Sequence, residues 1–163
     1  MKNLAVQDLS LEGFSEYGSF ANMVNPQKFH FGGEPIAFFR DMLQLELGSS
    51  SRASFSVCRV KQRPKMIETA EYHSSCGEGI LPLDADVLIH VAHATKNGVV
   101  PEEYEVFRVP QGTMVTLRPG VWHHAPFAES ADTAHTLIVL PERTYANDCV
   151  VYTLDESEKT QIG

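Results

Sequence analysis

From Ala53 onward the chain alternates short runs of β-branched and aromatic residues with turns built from Gly, Pro, Asn and Ser, and it leaves almost no room for helix. Phe55-Ser-Val-Cys-Arg-Val60 and Tyr104-Glu-Val-Phe-Arg-Val109 carry the two-residue period of a half-buried strand. Asp86-Val-Leu-Ile-His-Val-Ala-His93 is nearly continuous in apolar residues, as a strand buried on both faces would be. Met66 to Glu71, Ile80 to Leu83, Met114 to Leu117, Thr136 to Leu140 and Cys149 to Leu154 complete the series, and Asn97-Gly98 is a hairpin turn signal. About eight short strands or more, spaced roughly eight to twelve residues apart, define a β-sandwich or barrel.

Before Ala53 the pattern is looser. Leu4-Ala-Val reads as a short strand, and Asp8 to Gly18 as one or two helical turns with Asp8 or Ser10 as N-cap. Residues 22–35, rich in Gly, Pro and Asn, read as an irregular lobe holding the aromatic segment Phe29-His30-Phe31. Residues 41–47 suit another strand, and Gly48 and its serines a turn. The tail from Asp155 is polar and is expected to fray. At 163 residues the chain fits one domain, 1–163.

A net charge of −8 with no basic cluster argues against nucleic acid as a partner. An odd number of cysteines argues against a disulfide scaffold, and no apolar run approaches membrane-spanning length. The expectation is a reduced, cytoplasmic protein with no membrane partner.

Two stretches carry chemistry. In Gly112-Thr-Met-Val-Thr-Leu-Arg-Pro119-Gly120-Val-Trp-His123-His124, a strand ends in a Pro-Gly turn and two adjacent histidines follow. Successive strand residues point to opposite faces, so one of His123 and His124 turns inward, to bind a metal or move a proton. In Glu71-Tyr-His73-Ser-Ser-Cys76-Gly77-Glu78, Glu71 and His73 share a face, and Glu78 opens the next strand after a turn. Two carboxylates and an imidazole near one point suit a divalent metal, Zn, Ni, Fe, Mn or Co, or acid–base chemistry without one. Cys76 reads as a small turn residue. His90 and His93 face opposite ways, one of them into the barrel, and His135 carries no distinct signal.

Together these stretches resemble the two motifs of the cupin superfamily. Glu71 replaces the first His of the first motif, His73 and Glu78 match its second His and its Glu, and Ala85 stands at the closing Gly. Gly112, Pro119, Gly120 and His123 match the second motif with the spacing off by one, and Phe127 stands at the usual Asn. The resemblance implies an all-β, cupin-type jelly-roll barrel (a double-stranded β-helix) with one or two short helices. More narrowly, the chain resembles the ureidoglycolate lyase family in Phe29-His30, Arg40-Asp41, Arg59, Glu71-x-His73, Ile80-Leu-Pro82-Leu83, Val121-Trp-His-His124, Pro126-Phe-Ala128 and Asn147-Asp-Cys149. Glu78 stands where the lyases carry Gln, which makes the site look more like a metal-binding cupin.

That resemblance implies a lyase of allantoin and purine degradation that splits ureidoglycolate into glyoxylate and urea. The residues themselves offer a divalent metal up to four ligands, Glu71, His73, Glu78 and His123, and catalysis is expected of Glu71, His73, His123 and His124, with Glu71 or His124 as base. A small anionic substrate needs a cation, and Arg40, Arg59, Lys61, Arg63 and Arg118 are the candidates; Arg59, with Lys61 two residues on, is the first choice, and His30 and Arg40 are further binding residues. A homodimer is implied by family analogy. Two other readings are another metal-dependent cupin enzyme, an isomerase or dioxygenase acting on a small polar acid, and a non-catalytic small-molecule-binding cupin.

Overall fold

The computed structural model describes residues 3–96 and 98–163. The Asn97 half of the expected Asn97-Gly98 turn lies outside the described residues. In the first third, short strands β1 (Asn3–Leu4), β2 (Val6–Asp8) and β3 (Gly18–Asn22) flank the single turn of α1 (Leu11–Phe14). Ser10 caps that turn, its Oγ accepting from the Gly13 N–H at 3.0 Å. A small hairpin follows, β4 (Phe31–Gly33) and β5 (Ile36–Phe38).

The remaining strands are β6 (Ala53–Lys61), β7 (Met66–Ile67), β8 (Thr69–Tyr72), β9 (Glu78–Pro82), β10 (Val87–Val91), β11 (Glu105–Val109), β12 (Thr113–Leu117), β13 (Phe127–Ala128), β14 (Thr133–Pro141), β15 (Val150–Thr153) and β16 (Thr160–Ile162). Between β14 and β15 lies one further helical turn, α2 (Thr144–Asn147). A five-stranded sheet runs β3-β12-β9-β14-β6 and a four-stranded sheet β13-β10-β11-β2. Ile80, Val115, Leu117, Ile138 and Leu140 of the first meet Val87, Ile89, Val91, Phe107 and Val109 of the second in one buried core.

The apolar run in β10 has the reason the sequence suggested. Its odd residues face that core. Leu88, with Val106 of β11, faces a second apolar layer with Leu4, Ile67, Ala70, Trp122 and Ile162. Both faces are covered, so no polar alternation survives.

Two expectations are corrected. Residues 41–47 form no strand, although they lie along the barrel and the Gly77 N–H donates to the Glu46 carbonyl at 2.8 Å. One such bond makes no ladder, and Asp41 at φ 52° turns the chain out of the extended region. The tail does not fray. β16 pairs in parallel with β1 and antiparallel with β7, burying Thr160 and Ile162, because its alternation gives it one apolar side to dock.

Candidate metal centre

The turn after β12 aims the site. Gly120 takes φ 83°, which a side chain would resist, and its N–H donates to the His73 carbonyl at 2.7 Å. The next residues form two isolated antiparallel bridges, Trp122 with Ala92 and His123 with Glu71. Directly opposed residues on antiparallel chains share a face, so His123 and Glu71 point together into the barrel. His73, just beyond β8, and Glu78, first residue of β9, complete the group. One ligand atom from each of Glu71, His73, Glu78 and His123 lies within 4.8 Å of all the others.

The hydrogen bonds reveal what this group lacks. His73 Nδ1 lies 2.7 Å from the Asp148 carbonyl oxygen and His123 Nδ1 lies 2.8 Å from that of Val121. A carbonyl only accepts, so each Nδ1 carries the proton. In a neutral imidazole the lone pair is then on Nε2, and both Nε2 atoms point at Glu78 Oε2, at 3.0 and 3.1 Å. Lone pairs on three buried atoms converge, and only a cation between them, a proton or a metal ion, makes the arrangement favourable. Two imidazoles, each fixed by a carbonyl behind it, with carboxylates alongside, are a donor set suited to a divalent transition metal.

Without metal, a proton fills that role. Burial pushes the Glu78 carboxyl up, but the His123 charge and the hydrogen bonds from His123 and His73 outweigh it and bring the carboxyl down to about 2. For His123, burial opposes charging and the Glu78 carboxylate more than reverses it, so its imidazole is raised. A carboxyl with a depressed folded value adds stability above its unfolded value of 4.5 and loses it as pH falls toward about 2. Metal-free protein is therefore expected to lose about 3 kcal/mol of unfolding free energy through Glu78 over that window. Urea denaturation at stepped pH measures this, and Glu78→Gln should flatten the slope. An equally steep slope in the variant would assign the loss to other carboxyls.

The support behind His73 was missed in the sequence. The Asp148 carboxylate accepts from the backbone and hydroxyl of both Ser74 and Ser75, at 2.5 to 2.9 Å. Partial burial opposes ionisation there, and these bonds hold the carboxyl well below its usual range. The clip locks the loop after His73 and delivers the Asp148 carbonyl to the ring. Cys149 Sγ donates to Glu71 Oε2 at 3.4 Å; its thiol, pushed up to about 12 by burial and by Glu71, stays protonated. Tyr145 of α2 stands edge-on to His73 with 6.1 Å between ring centroids. Asn147-Asp-Cys149 carried the only signal, and it carried it through resemblance alone.

Other candidates lie elsewhere. His124 points away from the group, into a neighbouring cavity with Arg63 and His90. Arg59 and Lys61 do share a face, but it is the exposed one; Cys58 and Val60 are the β6 residues that pack inward. His30 and Arg40 are exposed beside the β4–β5 hairpin, His30 against Phe39, and Arg40 over Phe31 and paired with Asp41. Neither His90 nor His93 enters the barrel group: His90 is buried in the second layer beside Tyr104, and His93 stacks on Tyr17. His135 pairs with Asp84 at 2.6 Å, and Cys76 is buried against Thr144.

A two-sheet jelly-roll barrel with two histidines and two carboxylates gathered inside is a cupin-type fold with a possible metal site. Along residues 1–161 the chain matches the family model described as ureidoglycolate lyase, and it belongs to that family of lyases. It is 24% identical over 157 residues, 95% of this chain and 96% of the other, to a ureidoglycolate lyase from Escherichia coli. To one from Rhodobacter capsulatus it is 22% identical over 125 residues, covering 76% and 77% of the two chains. Among solved structures, a dTDP sugar isomerase from Desulfovibrio desulfuricans G20 shares the fold with a TM-score of 0.52 at 13% identity, covering 86% of this chain and 87% of that one. Among the described residues no helix is long and apolar enough to cross a membrane.

Proposed function

We propose that the protein cleaves ureidoglycolate to glyoxylate and urea, and that Glu71, His73, Glu78 and His123 form the reacting centre. The observation that carries this reading is the convergence of four ligand atoms inside the barrel of a chain that matches the lyase family over nearly its whole length. The reaction carbon bears a hydroxyl and a ureido nitrogen. Cleavage breaks the carbon–nitrogen bond, makes the aldehyde carbonyl, and moves one proton from oxygen to the leaving nitrogen.

Glu71 suits the proton transfer best. Glu78 is engaged by two imidazoles, whereas among the described residues Glu71 accepts only the weak thiol donor of Cys149 and keeps an oxygen for substrate. It takes the hydroxyl proton, then returns it to the urea nitrogen as the bond breaks. His124, the other candidate base, faces the neighbouring cavity. His73 and His123 orient Glu78 and hold the charge balance of the pocket. A divalent metal on these four groups would acidify the substrate hydroxyl and offset two carboxylates beside an anionic substrate.

The physical features also favour a homodimer. β6 is an edge of the five-stranded sheet, and its outward face carries Phe55 and Val57, 69% and 62% exposed. A long apolar edge strand is covered by self-pairing more readily than left in water. A cytoplasmic place in allantoin and purine degradation follows from the same reading.

Purified protein loaded in turn with Zn, Ni, Mn, Fe or Co is expected to release urea and glyoxylate from ureidoglycolate in equal amounts, from one enantiomer preferentially, and to stop on chelation. Full turnover in metal-free protein would overturn the metal's part. No urea with any metal would overturn the substrate and favour another small polar acid.

A further inference from the structure

Next to the centre, across the His123–His124 peptide, lies a second cavity of about 90 Å³ that shares no residue with it. Arg63, Thr69, His90, His124 and Phe127 line it, along with Glu68 at the mouth. Three of these have polar atoms left over. His90 is 1% exposed, and neither ring nitrogen makes a well-formed hydrogen bond, although the Thr69 carbonyl faces the ring. The Arg63 guanidinium lies over the Phe127 ring at 4.1 Å and gives one hydrogen bond, to the Ala125 carbonyl at 3.2 Å. Among the described residues Arg63 has no carboxylate partner, and the His124 ring has no hydrogen-bond partner. The one carboxylate among the lining residues, Glu68, is exposed and answered by Lys159 at 3.1 Å.

Burying an imidazole such as that of His90 without a partner is costly. Buried polar groups are nearly always satisfied, so an orphaned imidazole this deep marks a missing partner. The ring is held in place by edge contacts, its centroid 5.3 Å from that of Tyr104 and 6.2 Å from that of Phe127, so it cannot turn away to find one. A water would satisfy His90 but leave the half-buried arginine without a counter-charge. A planar anion answers both, because the guanidinium fork matches the two oxygens of a carboxylate.

We propose that this cavity binds a small planar carboxylate between the Arg63 guanidinium and the rings of His90 and His124. Liquid water takes about 30 Å³ per molecule, so the space fits a ligand of roughly three to five heavy atoms. Formate and glyoxylate are within that size, and dicarboxylates are not. The site is independent of the proposed reaction, which uses none of these three side chains, so it stands or falls separately from the lyase reading.

The test is a titration of zinc-loaded protein, labelled with nitrogen-15 in histidine, with sodium formate at constant ionic strength, followed through the imidazole resonances. The ring signals of His90 and His124 are expected to move saturably, while those of His73 and His123 stay in place. Arg63→Gln should weaken the apparent affinity at least tenfold while the remaining spectrum certifies its fold. Arg63→Lys, which keeps the charge and loses the fork, should fall between the two. Absence of any shift would mean that the cavity holds water only. Movement confined to His73 and His123 would put the anion at the metal centre. An equal response to neutral formamide, or undiminished binding in Arg63→Gln, would remove the charge recognition on which the proposal rests.

Discussion

Replacing His73 or His123 by alanine is expected to reduce metal occupancy and lower urea release by at least roughly a hundredfold, because each change removes a proposed ligand as well as a hydrogen-bond partner of Glu78. The same change strands a buried carboxylate with one imidazole instead of two. Breaking a buried ionic pair costs about 3 to 5 kcal/mol, so the metal-free variants should also unfold at lower denaturant. Metal analysis per chain, urea release and denaturant midpoints read the three effects separately. Near-normal turnover in a folded His73→Ala protein that has lost its metal would refute the centre as described.

A different signature is expected of Glu71→Gln. The amide keeps the size of the carboxylate and removes its basicity. If Glu71 moves the proton, kcat falls about 10²- to 10⁴-fold, with KM little changed. Metal content should be largely retained, since His73, Glu78 and His123 remain. An unchanged kcat would move the proton transfer off this residue, and the contrast with the histidine variants would show whether the loss came through ligation or basicity.

The fold and the centre of this protein were readable to different depths. Alternation and turns located β6, β9, β10, β11, β12 and β14 closely, because those strands bury a face and burial imposes the period. Pairing Glu71 with His73 and placing His123 on the turn were also sound, since both follow from two-residue parity and a Pro-Gly reversal. Parity held on β6 but did not say which face is covered. Apolar Phe55 and Val57 alternate there with Ser54 and Ser56, which suggests that the odd residues face inward, yet it is the odd face that is exposed. Arg59 and Lys61 went outward with it. A sequence records which residues share a face but not which face the rest of the chain will cover. The Asp148 clip on Ser74 and Ser75 joins positions far apart along the chain, and no local pattern announces such a contact.

The pairing of residues 3 and 4 with 161 and 162 bears on how the molecule comes into being. Among the described strand pairings, this one spans the greatest length of sequence, and closing so long a loop is entropically slow. β7 waits as well, since its antiparallel neighbour is the same late strand. During synthesis the apolar layer of Leu4, Ile67 and Ala70 therefore stays open until nearly all of these residues have been made. The interval before that closure is when the nascent chain is most exposed to aggregation and most in need of a chaperone.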